Sequence, residues 1–496
     1  MYRPDLMAVT EMTEARAASR LRINPVFWIS LAVIFLVSLP NLLDPMIRHD
    51  DFPALLGEPE MFWNKTLHEG RWLNYLWHLR EVITPAWLNF ALYQICWAVY
   101  ATALAVVATR EDRSLPVAAL MAVLILVAPP ATLISGWFNT LLPGLALVAL
   151  YGVVVCCTPQ RTARLLLPLF VVPTFMAYTT YPLLLLALCL AGTERRSPRD
   201  LIGLLMLFGA SFVGAVLITY ALNWHVHGVF GVPLADWRQA EPAQGLAGLW
   251  GNLDWVWRSF AEFLNKITLG APQLLAVHAA VLVGAGVIMT RRAPMELAYL
   301  GAGLLTGLAL ITLQAAKLGI LVPSRAMIFA WVIYAVIVIR AAQLLNQGQR
   351  PLLRLGLITG LMLALAYGIV AHQRYVGFQT WQSQTRAVGA ELARLPGPVH
   401  VFGRAMQSDA GRSATIQSEF ALHYRIKQLS GHTPILCDLP AADCSAVPRP
   451  METGATWQVL PMDGVTVLIV PERDLSPMDP SAISGYQSGT ISDSSG

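Results

Sequence analysis

The chain has 496 residues, of which 56% are hydrophobic and only 13% charged, with a formal charge of +4 and a mean hydropathy of +0.55. Soluble domains carry about 25% charged residues, so this composition excludes an ordinary soluble fold and points to a polytopic helical membrane protein. The small net charge says little; no nucleic-acid partner is expected, and the placement of Lys and Arg matters more than their sum.

The first apolar run, residues 25–43, follows a polar segment bearing Arg3, Arg16, Arg20 and Arg22, with no small-residue cleavage site after it. Since about 20 residues cross the hydrocarbon, it reads as a retained span, and residues 1–24 as a cytoplasmic segment. Helices are expected at about 86–109, at 115–134 with a kink at Pro129–Pro130, and at 141–157. The stretch 165–191 has basic flanks on both sides, "QRTAR" and "TERRSPR". It is therefore predicted to turn back at "AYTTYP" as a hairpin of two short helices. A span at about 200–222 precedes a long outer loop, 225–269. Four more spans follow: one ending at Arg291 and Arg292, one ending near Ala316, and two at 326–345 and 355–371. The total is about eleven, with the C-terminus outside.

From about His372 the composition changes. "PVHVFGR", "TWQVL" and "VTVLIVP" read as short strands, and "QTRAVGAELARL" as the helix opening a small α/β domain over residues 372–480. Residues 481–496 read as a disordered tail. Cys437 and Cys444 flank the polar loop "CDLPAADC" and are expected to form a disulfide, which fits an oxidising outer compartment. Cys96, Cys156, Cys157 and Cys189 lie in apolar spans and serve as small hydrophobes. The expected fold is an all-α polytopic membrane protein with a small C-terminal α/β extramembrane domain.

The outer loop 44–85 carries the chemistry. Asp50 and Asp51 stand just past the first span, beside Arg48 and His49. In "RWLNYLWH", Trp72, Leu73, Leu76 and Trp77 share one helical face, and Gly70 separates this piece from "EPEMFWNKTLHE". Two short helices of this kind would lie at the headgroup level. Paired carboxylates suit a general base, because like charges raise one pKa; the plainer alternative is that Asp51 caps the short helix following it. Arg48, His49, Lys65, His68, Arg71 and Arg80 crowd a side normally poor in cations, and an anionic lipid phosphate would explain them. In "KLGILVPSR", Lys317 and Arg325 repeat the theme: Arg325 opens a helix, so its guanidinium and backbone N–H groups can converge on one anion.

Together these features resemble the GT-C glycosyltransferase superfamily. "HDD…GRW" (His49 to Asp51, then Gly70 to Trp72) is similar to the bacterial Gtr-type glucosyltransferases that modify O-antigen and related surface glycans. "AYTTYP", with Tyr178 and Tyr181, is similar to their Tyr-bearing hairpin, with Pro182 where relatives often carry Gln. "PSR" (Pro323 to Arg325) is similar to their Arg after Pro in a late outer loop. The resemblance implies a GT-C-like transmembrane domain over 25–371, a polyprenyl-phosphate-linked monosaccharide as donor, and inverting transfer to a surface glycan or lipid-linked acceptor such as lipopolysaccharide. Transfer would take place on the outer face of the bacterial inner membrane, with the C-terminal domain periplasmic. The implied roles are Asp50 or Asp51 as catalytic base and Arg325, Lys317 and Arg71 as phosphate cradle. His49, Trp72, Trp137, Tyr178 and Tyr181 would face sugar, acceptor or lipid. No cofactor is expected, since two carboxylates make a poor cage for a divalent metal. A flippase or transporter of lipid-linked glycans stays open, and would call for ionisable residues at mid-membrane. So does a polymerase or ligase of such glycans, for which His225, His227 and Arg238 in the long outer loop would matter.

Overall fold

In lipid every backbone polar group must be satisfied within the chain, so an apolar sequence of this length is driven into helices. In the computed structural model 75% of the protein is helical. The structure describes residues 5–471 apart from 81, 110–113, 236–237, 239, 346–349, 440–441, 450–456 and 463; the tail expected at 481–496 lies outside the described residues.

The first helix, α1 (Asp5–Leu42), contains the apolar stretch Asn24–Leu42. Three short helices follow it: α2 (Phe52–Leu56), α3 (Trp63–Glu69) and α4 (Trp72–His78). The bundle continues through α5 (Ala86–Ala108), α6 (Leu115–Leu126), α7 (Pro129–Ile134) and α8 (Phe138–Cys157). Next come α9 (Gln160–Ala177), α10 (Tyr181–Ala191) and α11 (Pro198–His227). Helices α12 (Gly245–Gly251) and α13 (Leu253–Ile267) occupy the long loop, and α14 (Pro272–Arg292), α15 (Pro294–Leu318), α16 (Ile328–Leu344) and α17 (Arg350–Leu392) complete the bundle. Among the described residues, eight helical stretches are long and apolar enough to cross a membrane, with Pro129–Cys157 taken as one. Leu115–Leu126 and Tyr181–Ala191 are apolar but shorter.

Two departures from the sequence reading have physical causes. Pro129 and Pro130 do not kink one helix; α6 ends at Leu126 and they open α7, where the N–H groups they lack would have no helical partner anyway. The last helix is a single run of 43 residues, not a span plus a separate domain helix, because no proline falls between 371 and 384 and the single Gly377 does not stop it. The hairpin at "AYTTYP" is present: Tyr178 is extended (φ −155°, ψ 121°) and Pro182 falls in the first turn of α10.

Beyond α17 the chain forms a four-stranded sheet in the order β2-β1-β4-β3. The strands are β1 (Val399–Phe402), β2 (Ile435–Leu436), β3 (Gln458–Met462) and β4 (Val465–Ile469). β1 runs parallel to β2 and β4, while β3 and β4 are antiparallel. Helices α18 (Asp409–Ser413) and α19 (Phe420–Ser430) join this sheet to the flank of α17, where Arg425 donates to Thr385 Oγ1 at 3.3 Å. Cys437 and Cys444 form the expected disulfide.

Three charges at one end of the bundle, buried or half-buried, are paired. At the end away from the sheet, Arg340 meets Glu296 at 2.6 Å, and Arg196 reaches the same carboxylate at 3.2 Å. Burying these ions is tolerable because each keeps its partner. They act as staples between α15, α16 and the start of α11.

Candidate functional site

Between α1 and α5 the chain cannot continue as one helix, because glycines and prolines punctuate it. Gly57 (φ +70°) closes α2 and Gly70 (φ +67°) closes α3. A Cβ at Gly70 would stand 2.8 Å from the Thr219 methyl on α11, so only glycine lets α3 and α4 turn there. The expected pair of short helices is present, although the expected apolar face is split. Trp72 is buried while Leu76 is 59% exposed, and Asn74 points inward to donate to the Ala177 carbonyl at 2.8 Å.

The two aspartates part company. Asp51 is fully buried, and its side chain makes no cap to the helix following it. It reaches across to α8 instead, accepting the Asn139 N–H at 2.8 Å and the Thr140 N–H at 2.9 Å. These are orphan donors in the first turn of α8, and a carboxylate there is favoured by the helix dipole. A polar shell completes the arrangement. Asn139 donates to the Asp51 carbonyl at 3.2 Å, Arg80 and Asn89 donate to Asn139 Oδ1 at 3.3 and 2.5 Å, and His78 meets Thr140 Oγ1 at 3.3 Å. Burial pushes the Asp51 carboxyl up to about 7 against the pull of those hydrogen bonds. Burial and the nearby Arg80 and Lys65 push His78 down to about 3, so it is neutral.

Asp50 points the other way. Its Oδ1 lies 3.0 Å from His49 Nε2 and its Oδ2 lies 2.9 Å from Lys65 Nζ. Burial alone would raise its pKa, but His49 and Lys65 hold it well below the usual carboxylate range. It is therefore ionised at neutral pH. Lys65 also reaches Glu69 at 3.3 Å, and Glu69 takes Arg71 at 2.6 Å and Arg238 at 3.6 Å. Against its burial, these cations bring Glu69 down to about 2. The Arg71 guanidinium lies 5.9 Å from the Tyr178 ring, which in turn lies 5.3 Å from Tyr181. The cluster holds two carboxylates against Lys65, Arg71 and Arg238, a surplus of one positive charge before His49 is counted.

A second group sits just behind the doublet. Arg48 and Arg325 both stack on Trp137, at 5.3 and 4.4 Å from its ring centre. Trp137 is two residues before Asn139, and Arg48 is two before Asp50, so the two groups share one frame. Arg48 also reaches into the C-terminal domain, donating to the Thr415 carbonyl and, at 2.8 Å, to its hydroxyl. Thr415 carries φ +51°, a left-handed conformation that an L-residue with a branched side chain rarely adopts.

Further ties lock that domain over the loop. Asp44 accepts Arg425 at 3.0 Å through both oxygens and also pairs with Arg386. Glu58 pairs with Lys427, and the Phe52 ring stacks on Tyr424 at 5.7 Å. The doublet thus lies between the bundle and the sheet domain.

Of the residues expected from sequence, Asp50, His49 and Arg71 come together, with Tyr178 against Arg71. Arg325 joins Trp137 nearby. Trp72 is used in packing: its indole N–H donates to Asn223 at 2.8 Å and its ring meets Trp63 and His227. Tyr181 is buried and lines a narrow internal cavity with Tyr93, Gln94 and Tyr375. Lys317 is exposed at the end of α15, and no contact among the described residues links its side chain to Arg325 or Asp50. Sequence reasoning missed Glu69, although its i,i+4 spacing from Lys65 was readable. It also missed Asn139 and Thr140, which no local pattern marks. Among the described residues no three His, Cys, Asp or Glu side chains converge as a metal cage.

No protein-family model matches the chain, and no curated protein is similar to it.

Proposed function

We propose that the protein is a membrane glycosyltransferase with about eleven spans and a GT-C-like architecture, acting on the outer face of a bacterial inner membrane. In this reading a polyprenyl-phosphate-linked sugar is the donor and a surface glycan or a lipid-linked acceptor receives it with inversion. The observation that carries the reading is the division of labour in the doublet: Asp51 is committed to α8, while Asp50 is an ionised carboxylate among cations.

The chemistry follows from those groups. The acceptor hydroxyl attacks the anomeric carbon as the bond to phosphate oxygen breaks, and Asp50 takes the hydroxyl proton. Phosphate departs with its charge balanced by Arg71 and Arg325, so no acid is required at the leaving oxygen. Arg325 stays in place because Trp137 fixes the plane of its guanidinium. The C-terminal domain covers the doublet and limits water, the competing nucleophile.

The test is reconstitution of the full chain in liposomes with labelled polyprenyl-phosphate sugars and a lipopolysaccharide extract as acceptor. Transfer of label to the glycan supports the reading. Label that crosses the bilayer still attached to its lipid, with no transfer, replaces it with the transporter reading.

A further inference from the structure

A cavity of about 290 Å³ lies on the flank of the bundle between α7, the turn joining α13 to α14, and α17. A single water needs only about 15 Å³ of such space, so the cavity has room for a larger group. Its walls combine Leu133 and Val370 with Thr132, Asn265, Lys266 and Arg374. None of these belongs to the Asp50 cluster or to the Arg48–Trp137–Arg325 stack.

Three observations bear on what it holds. First, Lys266 and Arg374 face this one space, and among the described residues neither side chain makes a hydrogen bond or an ion pair. Every other half-buried arginine discussed above has a carboxylate, carbonyl or ring partner. A guanidinium drawn out of water without a counter-charge is costly, and Arg374 is partly buried.

Second, the cavity lies level with the end of an apolar helix long enough to cross a membrane. Two residues before Arg374, His372 meets the Val37 carbonyl at 3.1 Å, and five residues after it Gln379 donates to the Pro40 carbonyl. Arg374 is therefore level with residues 37–40 of α1, within its last two turns before Leu42. On the same loop as Lys266, Leu246, Trp250 and Trp257 are 76%, 73% and 69% exposed, as suits side chains dipping into an interface.

Third, the rim is built under strain. Leu269 holds φ +54° beside Gly270 at φ +73°. A leucine rarely enters that region; here it closes α13, with the Gly270 N–H donating to the Asn265 carbonyl at 3.0 Å. The wall is also fixed: the Tyr367 hydroxyl donates to the Ile267 carbonyl and lies 2.6 Å from His278, tying α17 to α13 and α14.

We infer that this cavity binds the phosphate group of a membrane lipid, with Lys266 and Arg374 taking the charge and the lipid chains running down the bundle flank past Leu133 and Val370. The shared chemistry is a lipid phosphate at the membrane surface, either the diester of an acidic phospholipid or the monoester of an isoprenoid lipid. The site is independent of the transferase reading and stands whether or not that reading does.

Native mass spectrometry of the purified full chain tests it, with phosphatidylglycerol, a polyprenyl phosphate, phosphatidylcholine and inorganic phosphate offered in separate arms. The wild-type chain retains one phosphatidylglycerol or one polyprenyl phosphate, and the arm that retains it identifies the source. The variant Lys266→Gln with Arg374→Gln loses at least about tenfold of that retention, the scale expected for removing charge-assisted hydrogen bonds. Val370→Trp keeps both cations but fills the cavity, and it lowers retention as well; Arg258→Gln on the same loop does not. Retention no better than phosphatidylcholine, or equal retention by the Lys266→Gln, Arg374→Gln variant, overturns the inference. Binding of inorganic phosphate with no acidic lipid overturns it too.

Discussion

Asp51 accepts the backbone N–H of Asn139 at 2.8 Å, so one half of an apparent catalytic pair holds the first turn of a helix. An amide at this position keeps one acceptor oxygen and turns its NH₂ toward a donor. Below about pH 4, where the contribution of this carboxyl is full, Asp51→Asn should lower stability by about 1–3 kcal/mol, the cost of an unsatisfied buried group, while leaving donor binding intact. Thermal unfolding in detergent measures it. An unchanged melting temperature would show that the cap contributes nothing.

The two shifted carboxyls predict opposite limbs of a pH profile. Asp51 sits at about 7 in the fold against an ordinary value of 3.8, so the folded state holds its proton longer. Its contribution to stability therefore falls as pH rises from about 4 to about 7. Glu69 is depressed from 4.5 to about 2, so its contribution is full above 4.5 and is lost as pH falls toward 2. Melting curves should show Asp51→Asn flattening the neutral limb and Glu69→Gln flattening the acid limb. The reverse assignment would contradict the charge arrangement described here.

Arg325 has a ring to lie on, and among the described residues its planar fork makes no hydrogen bond or ion pair. Its removal should raise the donor KM by about ten- to a hundredfold, in line with a lost charge-assisted hydrogen bond. Arg325→Lys should restore little, because an ammonium neither stacks on Trp137 in the same way nor binds phosphate through two parallel donors. Steady-state kinetics with varied donor distinguishes this from a general loss of folding, which would lower the active fraction without moving KM.

Asp44 is one of the ties that hold the C-terminal domain over the doublet. Arg425 is buried, and Asp44 is its carboxylate partner. Asp44→Ala should cost about 3–5 kcal/mol by stranding that charge. The pair Asp44→Ala with Arg425→Met should cost less than the two single changes summed. Hydrogen exchange in α19 reads the release of the domain. Exchange unchanged in Asp44→Ala would mean that the domain is held by other contacts.

Much of the frame was legible because it follows from simple rules. Basic flanks on both sides of 165–191 demanded a turn, and Tyr178 and Pro182 supply it. Gly70 marked the joint between α3 and α4. The sheet was readable where strands were long; β2 has only two residues and leaves no alternation to see. The last helix was divided because composition changes at His372, whereas helix continuation depends on backbone geometry, and no proline there interrupts it. The site itself was half visible. The crowd of cations was plain, and it suggested a phosphate, but Glu69 among them was overlooked although it accounts for part of the positive charge. The separate fates of Asp50 and Asp51 were not readable at all, since the partners of Asp51 lie 88 and 89 residues along the chain.

The most direct test of the central claim compares Asp50→Asn with Asp51→Asn in sugar transfer from a polyprenyl-phosphate donor, with donor binding measured on the same preparations. The account predicts that Asp50→Asn still folds and binds donor, melting earlier because Lys65 and His49 lose their carboxylate, but loses about 10²–10⁴-fold in turnover, the span of a missing general base. Asp51→Asn should retain most of its turnover while folded. Full turnover in Asp50→Asn, or a larger catalytic loss in folded Asp51→Asn, would contradict it.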